Sequence, residues 1–137
     1  MLLSRIFAVL LGLYLLSSID AVAGDYTVSY AFDAGDLNDA GTTTKCKYQA
    51  FCQIELVKLD LSISLVLYRG NKIDVSVLGG RSRLACCYFS DGVHWFSRDL
   101  DQPFVRLVVY EGHVRRRNEY IQNLPVGVLY LQFSGMK

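Results

Sequence analysis

Leu61-Ser62-Ile63-Ser64-Leu65-Val66-Leu67, followed by Arg69-Gly70-Asn71-Lys72 and then Ile73-Asp74-Val75-Ser76-Val77, is the stretch that decides the fold. Leucine and isoleucine alternate with serine in the first run. Successive side chains of a strand point to opposite faces, so this pattern gives one buried and one wetted face. Gly70 and Asn71 tolerate positive φ, so the segment between the runs is suited to a tight hairpin turn. Ile73, Val75 and Val77 then resume the alternation, and the unit reads as an antiparallel hairpin.

Outward from this hairpin the same period of two recurs, and no sustained helical period does. Tyr26, Val28, Tyr30 and Phe32 alternate with Thr27, Ser29 and Ala31 to give a first strand with an aromatic face. After Gly79-Gly80, a β-prone run from Arg83 to Phe89 is followed by a Ser90-Asp91-Gly92 turn and a short strand over Val93 to Ser97. Pro103 opens the run from Phe104 to Tyr110. Pro125 precedes a run ending in Leu129, Leu131 and Phe133, whose side chains are expected in the core. Proline is tolerated at these strand starts, where no ladder donor is lost. About eight short strands separated by turns predict an all-β, single-domain, two-sheet antiparallel β-sandwich, with a partly closed β-barrel as the alternative. Residues 33–45, rich in Asp, Gly and Thr, are expected to be irregular.

The N-terminus has a different grammar. Ile6 to Leu16 is an uninterrupted apolar run of eleven residues behind Arg5, shorter than the roughly 20 that span a bilayer and suited to the core of a signal peptide. Ala21-Val22-Ala23 fits signal peptidase, so residues 1–23 are expected to be a cleavable signal peptide and 24–137 one secreted or periplasmic domain. No transmembrane segment is expected after cleavage. All four cysteines, Cys46, Cys52, Cys86 and Cys87, follow the cleavage point, and in an exported chain they predict a disulfide staple. Three pairings are possible. Long bridges joining Cys46 and Cys52 to Cys86 and Cys87 are preferred, because the local pairing leaves two adjacent cysteines to bridge each other.

The net charge of +1 provides no general attraction for nucleic acid, and no basic face interleaved with aromatics marks a nucleic-acid site. Three local features can carry chemistry. Asp33, Asp36, Asn38 and Asp39 offer hard oxygen ligands that calcium could use, or they cap turns in a solvated connector. Asp91, His94, Trp95 and Phe96 hold the only tryptophan beside a turn, a position from which an aromatic can anchor a protein or stack on a sugar. Arg115, Arg116 and Arg117 could form a charged rim gripping an acidic partner, or could protect a strand edge from pairing.

There is no G-x-S-x-G elbow, no H-E-x-x-H helix and no phosphate-binding glycine loop, so an enzyme is not expected. The leading expectation is an exported binding module for a protein or glycan partner without a cofactor. A calcium-dependent surface protein using Asp33–Asp39 and a small hydrolase built on His94 or His113 are the alternatives.

Overall fold

The computed structural model describes residues 24–81, 86–90, 92–112 and 125–137. The expected signal peptide, Asp91, His113 and Arg115–Arg117 lie outside the described residues. The described residues form nine strands: β1 (Tyr26–Ala34), β2 (Leu37–Cys46), β3 (Cys52–Leu56), β4 (Leu61–Leu67), β5 (Lys72–Gly79), β6 (Cys86–Phe89), β7 (Trp95–Asp99), β8 (Phe104–Glu111) and β9 (Pro125–Ser134). They form a five-stranded sheet ordered β2-β1-β9-β8-β6 and a four-stranded sheet ordered β3-β4-β5-β7. Every pairing is antiparallel and neither sheet closes into a barrel. No helix among the described residues is long and apolar enough to cross a membrane.

Alternation explains the layering. Leu61, Ile63, Leu65 and Leu67 of β4 and Ile73, Val75 and Val77 of β5 are buried, as are Val105, Leu107 and Val109 of β8 and Leu129, Leu131 and Phe133 of β9. They belong to one core that fills the space between the sheets. Each such side chain contributes roughly 1.5–3 kcal/mol through removal from water. The β4–β5 hairpin turns at Arg69–Asn71, with Gly70 at φ 91° and Asn71 at φ 64°, as the sequence predicts. β1 lies beside β9 from Thr27↔Ser134 to Asp33↔Val128.

The structure corrects two expectations. Residues 37–46 are a strand, not an irregular stretch: β1 and β2 form a hairpin through the two-residue loop Gly35-Asp36, with Gly35 at φ 76°. A glycine with positive φ in the first loop position suits the twist of paired strands. β2 escapes recognition because it is an edge strand, exposed or half-buried over most of its length, and needs no apolar face.

The disulfides join Cys46 to Cys52 and Cys86 to Cys87, not the two pairs to each other. Topology gives the reason. Cys46 ends β2 at one edge of the five-stranded sheet, while Cys86 and Cys87 lie on β6 at the other edge. Four strand spacings separate those edges, about 19 Å. Cys52 begins β3, so the Cys46–Cys52 bridge pins the two sheets together where the chain first crosses between them.

Candidate functional site

The sequence candidates around the tryptophan are placed by β7, the edge strand of the four-stranded sheet. Among the described residues β7 pairs only with β5, with Val75↔Phe96 and Ser76↔Trp95 in register. Val75 faces the core, so Phe96 does as well, and its ring meets Phe89 edge-on with centroids 6.2 Å apart. Trp95 therefore points the other way, onto the outer face, and is 49 % exposed. Val93 is also exposed. Of the two neighbouring aromatics, Phe96 is a packing residue and Trp95 a surface one.

Across the outer face, the register aligns Gln53, Ser64, Ser76 and Trp95 in one row over β3, β4, β5 and β7. Ser64 and Ser76 are buried. The Ser76 hydroxyl has no hydrogen-bond partner, and neither does the Oδ1 oxygen of Asp74 in the adjacent row. The other Asp74 oxygen accepts a hydrogen bond from the Tyr68 hydroxyl at 3.0 Å, which raises the Tyr68 pKa. Trp95 thus stands at the exposed end of a row whose two serines are shielded from solvent. Leu78, also on the outer face of β5, is exposed.

His94 is exposed, and its Nδ1 lies 2.8 Å from the carbonyl oxygen of Cys87. A carbonyl only accepts, so the proton sits on Nδ1 and the ring is oriented by backbone. Among the described residues, no carboxylate or nucleophile completes a catalytic pair with it.

The acidic candidates do not converge. Asp33 and Asn38 are cross-strand partners on the outer face of the β1–β2 hairpin, Asp36 is in its loop, and Asp39, opposite buried Phe32, is on the other face. Asp33 Oδ1 accepts a hydrogen bond from the Gly35 N–H at 3.0 Å, and the Asn38 amide donates to the same oxygen at 3.0 Å. These contacts cap the turn. Among the described residues, no group of three or more His, Cys, Asp or Glu side chains could hold a metal ion.

A feature the sequence reading missed lies at the far end of β7. A cavity of about 390 Å³ is lined by Arg98, Asp101, Gln102, Phe104, Val105 and Arg106. Arg106 also lies over the Tyr130 ring, 5.9 Å from its centroid. Neither guanidinium forms an ion pair among the described residues. These six residues straddle Pro103 in the chain, and only the β7-to-β8 crossover between sheets groups them. All six lie between positions 98 and 106, but their residue types match no binding motif, so the sequence alone does not mark them.

No family model, curated protein or solved structure matches the chain.

Proposed function

We propose that this protein is an exported, non-enzymatic recognition module that binds a protein or glycan through the outer face of its four-stranded sheet, centred on Trp95. One observation carries the reading. The only tryptophan of the chain stands half-exposed on a regular strand, on the same outer face as exposed Leu78. An exposed indole supplies a large rigid contact area on which a sugar ring or an apolar side chain can pack. A surface on strands also holds its geometry better than one on loops.

The export half of the proposal rests on the N-terminal apolar run with its Ala21-Val22-Ala23 site and on the presence of disulfides, which persist in oxidising compartments.

Because Trp95 is the sole tryptophan, its fluorescence reports directly on the proposed face. Titration with a glycan panel and with extracytoplasmic protein fractions should shift or quench its emission for at least one ligand. Trp95→Ala should abolish binding of that ligand while leaving the melting temperature within a few degrees. Emission indifferent to every ligand, or binding that survives Trp95→Ala, would remove this face as the site.

A further inference from the structure

Pairing along β8 is lopsided. On one side β9 accompanies it from Phe104↔Gln132 to Tyr110↔Pro125. On the other side β6 reaches only Val109, Tyr110 and Glu111. The cause is local: the Gly92 N–H donates to the Phe89 carbonyl at 2.8 Å, and the Phe89 N–H donates to the Val93 carbonyl at 2.9 Å, so the chain turns away after Phe89. Among the described residues, nothing pairs with the β6 side of Phe104–Val108.

The cavity at Arg98 lies against this open edge. Phe104, Val105 and Arg106 are consecutive, yet all three line it. A cavity on one face of a strand would meet alternate residues, so three in succession place this one along the strand's side. Val105 is buried, whereas Phe104 is 43 % exposed. An unpaired strand edge presents a row of N–H and C=O groups that can template another strand. Arg98 and Arg106 add two positive charges without carboxylate partners, against the single charge of Asp101.

We infer that the open edge of β8 is a second docking site, distinct from the Trp95 face, for an extended acidic segment of a partner protein. The segment adds as a strand beside Phe104–Val108. An acidic side chain is set between Arg98 and Arg106, where guanidinium groups recognise carboxylates in a bidentate manner. An apolar residue two places along packs on Phe104. The free backbone edge favours a peptide over a sugar, because a sugar offers no matching ladder of donors and acceptors.

The test uses the disulfide-bonded protein and a blocked five-residue peptide alternating glutamate and valine, with affinity read by calorimetry. The acidic peptide should bind, and its lysine counterpart should not. Arg98→Glu combined with Arg106→Glu should weaken binding by about tenfold or more, as loss of electrostatic complementarity does. Lys45→Glu, on β2, should have no effect. N-methylation of the peptide backbone, which removes its ladder donors while retaining its charges, should abolish binding in the unaltered protein. If charge reversal impairs folding, Arg98→Gln and Arg106→Gln take its place.

Absence of binding, equal binding of the N-methylated peptide, or affinity unmoved by the arginine changes would each overturn the inference. So would tighter binding of a hexuronate oligomer that displaces the peptide, since the site would then read an anionic sugar. A ligand response at Trp95 alongside failure here would leave the recognition proposal standing and remove only this second site.

Discussion

The two edges of the five-stranded sheet are finished in different ways. At one edge β2 runs the full length of β1, from Ala34↔Leu37 to Tyr26↔Cys46, and is then stapled to the opposite sheet by the Cys46–Cys52 bridge. At the other edge β6 is four residues long, holds its place through buried Cys87 and Phe89, and leaves half of β8 unpaired among the described residues. One edge is polar, long and covalently fixed. The other is apolar, short and incomplete. A sheet can thus be closed by chemistry at one side and by packing at the other, and the side closed by packing is the one where a cavity with charged walls forms.

This contrast can be broken by experiment. The largest effect is expected for Phe89→Ala, which removes the main apolar anchor of β6 and its contact with Phe96. It should cost about 3–5 kcal/mol in equilibrium urea unfolding, the usual range for a buried phenylalanine. A loss below that of the disulfide variant described next would show that packing does not hold this edge.

Removing the staple through Cys46→Ala with Cys52→Ala should cost about 2 kcal/mol, because the loop it closes is short and little chain entropy is constrained. Amide hydrogen exchange should then accelerate first in β2 and β3, with β6 and β8 unaffected. Uniform acceleration across both edges would deny the bridge its local role.

The smallest effect concerns Tyr26, in the core beside the staple. Burial pushes its hydroxyl up to about 12, with the backbone of Leu67, acting as an N–H donor, partly offsetting the shift and the charges of Tyr48 and Asp25 adding to it. That hydroxyl is buried and completes no hydrogen bond of ordinary geometry. A raised pKa in the folded state means the neutral phenol is favoured on folding, so its contribution is fully present below pH 10 and lost as pH rises towards 12. Tyr26→Phe should therefore be within about 1 kcal/mol of the parent at pH 7. It should also flatten the alkaline fall in stability between pH 10 and 12. An unchanged alkaline limb would assign that fall to other groups.

The parts legible in the sequence are those where a strand has one dry and one wet face. β4, β5, β8 and β9 announce themselves because Leu65, Val75, Leu107 and Leu131 must all be inside. β2 was hidden because its ten residues, Asn38, Asp39 and Gly41 among them, answer to a single neighbour and to water. The disulfide pairing was hidden for a related reason: which cysteines meet depends on strand order, and alternation carries no information about order. At the candidate site, the sequence marked the tryptophan segment but could not say which ring faced outward. The cross-strand partners did, since Val75 carries Phe96 inward and Ser76 carries Trp95 outward.

The placing of β1 beside β9 bears on how the domain would respond to force. Thr27 at the start of β1 sits opposite Ser134 at the end of β9, and the backbone N–H of Lys137 donates to the Tyr48 hydroxyl at 3.0 Å close by. The chain therefore enters and leaves at the same corner. Tension applied through its two ends would peel β1 from β9 one rung at a time, as a zipper opens, rather than shearing the whole ladder at once. Such a domain yields readily to a pull along the polypeptide, whatever its stability to heat.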